Sequence, residues 1–404
     1  MPFMRLGVLS WLDRLIGYWR ENSRYLSIRN RRLDHQDRIN EILKAMEAAE
    51  LEILFAFSAA AHHVDFGDGV ALISGVKPMG PAFAALKSNG ASTLVVSPIW
   101  DRPRAEARAR TDIVAANDDL ADAFGAMFGG GLPAADRIGA ADLGKLPHGL
   151  AGKITALIGP GHNDFSSQLF ALAARKTDDE IENARQATSI AERTYQYLLD
   201  VAEPGMPECQ LAADLKCYSR SLGADDNFMM LHAEAHPLAV QPSGERKLQE
   251  GDLILAEITP SYRGQFSQVC RTVCLGMPTD ECYEKYDLVA RAMNNGIAAA
   301  RPGRPMKEIC LGIDEVLRAE GYGEYCEPPY MNRRGHGLGV TSTAPGNVAL
   351  NNETVLEDGM FFVVHPNQYI PETGYFLCGE PILIQQPSAG ILTASRAALG
   401  TIDR

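Results

Sequence analysis

The chain has 404 residues, 46% hydrophobic and 22% charged, an ordinary globular composition with enough length for two cores. Its formal net charge of −13 is spread along the chain without an acidic tail and without clustered Lys and Arg, which argues against a nucleic-acid partner. All eight cysteines lie between Cys209 and Cys378 and none forms a CxxC pair, the usage expected of buried, reduced thiols in a cytoplasmic protein.

Residues 1–36 begin "MPFMRLGVLSWLDRLIGYW", where apolar positions at helical spacing are interrupted by Arg and Asp. The apolar run is far too short to cross a bilayer, so an amphipathic arm that packs on the body or on a second subunit is expected, with no membrane role. Residues 37–175 alternate helical patterns with short apolar stretches. "QDRINEILKAMEAAELEILFAF" reads as a helix followed by a strand, and "GVALISG", "STLVVSP" and "KITALIGPG" read as further strands. This alternation predicts an α/β N-terminal domain. The adjacent His62 and His63 lack ligand spacing and read as structural or surface residues.

A boundary falls near residue 175, before "KTDDEIENARQATSIAERTYQYLLDV", a long helix opened by a cap-like "TDDE". Beyond it, "EPGMPECQLAADLKCYSRSLGA" and "RPGRPMKEICLGIDEVLRAEGYG" share one scheme: a Pro-Gly turn, an amphipathic helix and a Gly-marked stop. This echo predicts two similar half-units in 176–404, related by a pseudo-two-fold, that enclose a cleft. "GDLILAEITPSYRGQFSQVCRTVCLG" reads as a strand, a tight turn and a second strand.

Together with "RRGHGLGV", "LEDGMFFVVHPNQ" and "GEPILI", these stretches resemble the pita-bread superfamily of methionine aminopeptidase, aminopeptidase P, prolidase and creatinase. The resemblance covers 176–384 and implies an α+β pita-bread C-terminal domain behind a creatinase-like N-terminal domain. Peptidases of that superfamily bind two metals through two aspartates, a histidine and two further acids. The matching positions here hold Glu257, Gln268, His336, His365 and Gly379, with Glu380 one place along. Only His336 is unchanged. One carboxylate balances a dinuclear centre of about +4 poorly, so no metal and no cofactor are expected.

The same resemblance extends to creatinase and the ectoine hydrolases, which act without metal. It implies a metal-independent hydrolase of a C–N bond in a small cyclic amide, lactam or amidine. Glu257 is then the nucleophile or general base, His336, His365, Glu380 and His236 are further catalytic candidates, and Gln268, His232 and Arg334 are candidates for substrate binding. A non-catalytic binding module, or an Xaa-Pro-peptidase-like or lyase activity with a rearranged metal site, are the competing readings. Superfamily members with this N-terminal domain are typically homodimers, and a homodimer is expected here.

Overall fold

A computed structural model describes residues 35–60, 68–340, 342 and 344–403. Residues 1–34 of the expected arm, and His62 and His63, lie outside the described residues.

The N-terminal part contains α1 (Gln36–Ala48), β1 (Ile53–Ser58), α2 (Gly69–Ser74), β2 (Ala82–Lys87), β3 (Ser92–Val96), α3 (Arg102–Arg108), β4 (Ile113–Ala116), α4 (Leu120–Phe128), β5 (Ile138–Ala141), α5 (His148–Ile158), β6 (Asn163–Asp164) and α6 (Ser166–Ala174). The strands form one mixed sheet in the order β4-β3-β2-β1-β5-β6. Both faces are covered, and the side-chain alternation of β1 shows how. Leu54 and Ala56 pack with Ile42, Ile73 and Leu169 of one helical layer, whereas Phe55 and Phe57 pack with Phe124 and Ile154 of the other.

Two of the expected strands are helices. "GVALISG" is α2: Asp68 accepts the Ala71 N–H at its start, and Gly75 ends it at φ 72°. "KITALIGPG" runs through the end of α5 and stops at Gly159, at φ 87°. A short apolar run has no period that separates helix from strand, and here the caps decide.

The C-terminal part opens with α7 (Asp178–Val201), which begins at a full capping box between Thr177 and Glu180. It is followed by α8 (Glu208–Ser221), β7 (Asp226–Glu234), β8 (Leu253–Tyr262), β9 (Gln265–Phe266), β10 (Val269–Leu275), α9 (Asp280–Ala299), α10 (Lys307–Ala319), β11 (Gly335–Gly337), β12 (Phe361–Val364), β13 (Gln368–Ile370), β14 (Gly374–Phe376), β15 (Glu380–Leu383), β16 (Gly390–Ile391) and β17 (Gly400–Ile402). The helices of the repeated scheme are α8 and α10. Helices α7 and α8 bury Ala191, Leu198, Leu211 and Leu215 against Ile254, Ala256 and Ile258 of the sheet β17-β10-β8-β7. Helices α9 and α10 bury Met293, Ile309 and Ile313 against Phe362, Val364 and Ile382 of the sheet β11-β12-β15-β16. α9 and α10 approach at glycines: a Cβ on Gly296 would lie 2.5 Å from Ile313 Cγ1. The two sheets meet at a seam, where Cys270 N–H donates to Gly379 O at 3.2 Å and Gly379 N–H donates to Cys270 O at 3.0 Å.

Candidate active site

The period of two along β8 sets the site. Ile254, Ala256 and Ile258 point into the core under α7 and α8, so Leu255 and Glu257 take the other face. Leu255 packs there against Cys270 and Leu377, which marks that face as the one toward the seam. Half-buried Glu257 stands opposite Met230 of β7 and Cys270 of β10. Gln268, just before β10, is buried, and its Nε2 lies 3.7 Å from Cys270 Sγ. The "YRG" turn that separates β8 from β9 uses positive φ at Arg263 (50°) and Gly264 (81°), which reverses the chain and brings Gln268 back beside β8.

The second sheet supplies two histidines. His336 lies in β11 opposite Val363, and its Nδ1 is 3.0 Å from Gly337 O. His365 follows β12 and donates its backbone N–H to Arg334 O at 2.9 Å. The two rings meet edge to face, with centroids 5.4 Å apart. Burial holds His365 well below the usual imidazole range, helped by His336 and Arg333, so its ring is neutral at pH 7. Two buried polar atoms here lack a hydrogen-bond partner among the described residues: Gln268 Oε1 and His365 Nδ1. Gly379 lets this cluster close, because a Cβ there would lie 2.7 Å from His365 Cβ and 2.9 Å from Cys270 Cβ.

Other residues expected in the site are committed elsewhere. The Glu380 carboxylate accepts from Arg271 at 2.8 Å and from Thr393 at 2.6 Å, with the Arg271 guanidinium also donating to Gly379 O. Arg334 is buried, forked onto Asp314 and bonded to Pro366 O and Gln368 Oε1. His236 is exposed, with Nε2 2.9 Å from Pro371 O, and its ring meets Tyr369 edge to face. His232 stands opposite Leu255, with Nδ1 3.2 Å from Glu208 and Nε2 3.6 Å from Glu234. The structure therefore places Glu257 and Gln268 beside Cys270 and His336 against His365, which borders Cys270 across Gly379, and gives the other four separate surroundings.

Two neighbours were not singled out from the sequence. Cys270 is the hub of the cluster, and its thiol is pushed well up by burial and then by the Glu257 charge. Its position was readable, since it alternates with Cys274 along a predicted strand, but a buried thiol gives no chemical signal. Tyr375 sits directly across the β13–β14 hairpin from Tyr369, and its hydroxyl is raised by burial, then Glu257, then Cys270. Nothing in "ETGYFL" marks it in advance.

A dinuclear centre like that of the superfamily would need its donors to converge. Among the described residues no group of three or more His, Cys, Asp and Glu side chains converges as metal ligands. Gly379 offers no side chain, His365 Cβ and Cys270 Cβ occupy the space where one would begin, and Glu380 serves Arg271. These residues do not fit that centre.

A model of metallopeptidase family M24 matches residues 182–386. An uncharacterized peptidase of Bacillus subtilis is 30% identical over 223 residues, 54% of this chain and 62% of the relative. An Xaa-Pro dipeptidase of Pyrococcus furiosus is 28% identical over 228 residues, 55% of this chain and 64% of the relative. The chain thus spans less than two thirds of the length of these curated relatives. Among solved structures, the prolidase of Pyrococcus horikoshii superposes with a TM-score of 0.76 at 21% identity, covering 90% of this chain and 99% of that one. The Xaa-Pro dipeptidase of Bacillus anthracis gives 0.73 at 20% identity, covering 91% and 99%. The fold is therefore the pita-bread fold behind an α/β N-terminal domain. The same findings overturn the expectation of a metal-independent amidohydrolase or amidinohydrolase acting on a cyclic amide, lactam or amidine: the matched family is one of metallopeptidases, and one of the two relatives above is named an Xaa-Pro dipeptidase. The residues at the ligand positions alone did not separate the two readings.

Proposed function

Because the chain belongs to metallopeptidase family M24, we propose that it is an Xaa-Pro-peptidase-like hydrolase of short peptides with a rearranged centre. The observation that carries this reading is Glu257 and Gln268 beside Cys270 on one sheet and the His336–His365 pair on the other, with Gly379 between His365 and Cys270. Glu257, the one carboxylate of that set, takes a proton from the attacking water as its oxygen adds to the peptide carbonyl carbon. The proton then passes to the leaving nitrogen as the C–N bond breaks. His336, with Nδ1 against the Gly337 carbonyl, and neutral His365 hold polar atoms of the substrate.

The test is incubation with Xaa-Pro dipeptides and Xaa-Pro-Xaa tripeptides, with and without added manganese, cobalt or zinc, and mass spectrometry of the products. Release of the N-terminal residue is expected. Peptides recovered intact under every metal condition would sink the proposal. A second reading, binding without turnover, is favoured by the misfit at Gly379, and its mark is calorimetric binding of the same peptides with no products.

The proposal extends to assembly and place. A homodimer is expected, and sedimentation of a fully active monomer at micromolar concentration would exclude it. All eight cysteines are unpaired thiols, which suits a reducing compartment and a cytoplasmic location; cell fractionation tests this. Domains at 37–175 and 176–404 predict limited proteolysis near residue 175.

A further inference from the structure

Arg263 sits at φ 50°, in the left-handed region that a side chain enters only at a cost, so the turn that brings Gln268 back beside β8 needs support from outside itself. Asp225, the residue before β7, supplies it: its carboxylate accepts the Gly264 N–H at 2.8 Å, and its own N–H donates to Ser261 O at 2.8 Å. Asp225 is followed by Asp226, and neighbouring carboxylates repel unless cations face them. Those cations come from the N-terminal part. Arg108 Nη1 lies 4.0 Å from Asp225 Oδ1. Half-buried Lys77 holds its Nζ 4.9 Å from the centroid of the Phe266 ring on β9. Burial lowers the Lys77 pKa, and the charges of Asp68, Asp226 and Asp225 act against that shift. The Phe266 ring is fixed from beneath by Leu338 and Phe361, two residues before Gln268, so Lys77 covers it from the other part of the chain. The same polarity recurs in Arg38–Glu180 at 2.6 Å, Arg110–Asp179 at 3.8 Å and Arg175–Glu357 at 3.8 Å: the N-terminal part brings the cation and the C-terminal part the acid.

We propose that Lys77 is a positioning residue, reaching across from the N-terminal part to hold the strained 262–266 turn and thereby the placing of Gln268 beside Glu257. It acts through two contacts. Its ammonium caps the Phe266 ring, and its charge offsets that of Asp226 so that Asp225 stays on the Gly264 amide. Lys77 touches no reacting atom; it fixes the hairpin that carries two of the candidate groups. Docking of the N-terminal part is then a condition for an ordered site within one chain. The consequence for turnover rests on the peptide reading above, whereas the hold on the turn does not.

The test is amide hydrogen exchange read by mass spectrometry on the full chain, with kcat/KM for L-alanyl-L-proline measured on the same samples. Lys77→Met keeps the length of the side chain and removes the charge. Peptides covering 262–268 should then exchange about tenfold faster, the scale of a partly desolvated cation–π contact, while β2 in the N-terminal part keeps its protection. The same variant should lose about tenfold in kcat/KM. Lys77→Arg, whose guanidinium also stacks on a ring, should restore both, a rescue that mere filling of space would not produce. Unchanged exchange in Lys77→Met, equally fast exchange in both variants, or loss of protection throughout the chain overturns the positioning role. Faster exchange of the turn with the parent's kcat/KM overturns its link to the site. If the parent cleaves no Xaa-Pro peptide while the exchange pattern holds, the peptide reading falls and the hold of Lys77 on the turn stands. Cleavage by the parent with exchange unaltered in Lys77→Met does the reverse.

Discussion

Replacing Gly379 with alanine should destabilise this chain. The new Cβ would lie 2.7 Å from His365 Cβ, 2.9 Å from Cys270 Cβ and 3.0 Å from Cys270 Sγ. Two of these atoms are the first carbons of their side chains, so no rotamer change moves them. The backbone is also held, because Gly379 and Cys270 exchange both of their hydrogen bonds. Overpacking typically costs about 1–3 kcal/mol, and three contacts of this kind place the cost at the upper end, about 3 kcal/mol. For a unit of this size that lowers Tm by roughly 6–12 °C. Urea denaturation of parent and variant measures it directly. A double-mutant cycle adds a sharper check: Cys270→Gly removes two of the three contacts and should recover part of the loss, whereas His365→Ala keeps its Cβ and should recover none. If Gly379→Ala unfolds within about 0.5 kcal/mol of the parent, the close approach at the seam does not constrain the site, and the account of the missing fifth ligand fails with it.

Glu257→Gln should leave peptide KM nearly unchanged and lower kcat on the order of 10³-fold, as expected for loss of the principal base; turnover within about tenfold of the parent would assign that role elsewhere. Asp314→Ala strands the buried Arg334 guanidinium and should cost about 3–5 kcal/mol in denaturant titrations, while breaking the exposed Arg102–Glu106 pair should cost under about 1 kcal/mol. His35 is buried against Ile73 O, and burial lowers its pKa from 6.5 to about 4. Between those values the unfolded chain binds a proton that the folded chain refuses, so this stability is present above about pH 6.5 and is lost as pH falls toward 4. Asp68, raised to about 6 by burial, works in the opposite sense over part of that window, so the comparison is with His35→Asn. The parent's advantage over that variant should shrink by up to about 3 kcal/mol between pH 7 and pH 4, and a constant difference would refute the assignment.

Where the sequence was legible, local chemistry and periodicity agreed. Thr177 and Glu180 announce the start of α7, and the hairpin around Arg263 and Gly264 follows from its turn and its alternating strands. Glu257, Gln268, His336 and His365 were named as one set only because the family resemblance carries those positions over together. Side-chain commitments were not legible. Nothing in "RRGHG" shows that Arg334 turns inward onto Asp314, a residue 20 positions away on α10. Nothing in "GEPILI" shows that Glu380 belongs to Arg271, 109 positions earlier. Such pairings are decided by which side of a strand a residue takes once two sheets have met. The helix in "GVALISG" was missed for a local reason: a stretch of that length is settled by Asp68 and Gly75 at its ends rather than by its apolar content.

The junction between the two C-terminal sheets also bears on how the cleft can move. Sliding one sheet past the other would break both Cys270–Gly379 bonds and drag the Arg271 guanidinium off the Gly379 carbonyl. Rocking about that same line would break none of them. In such a motion, strand ends remote from the junction would move further than Gln268, Cys270 and Gly379 beside it. Closure around a bound molecule would tighten the outer walls and leave the innermost contacts in place.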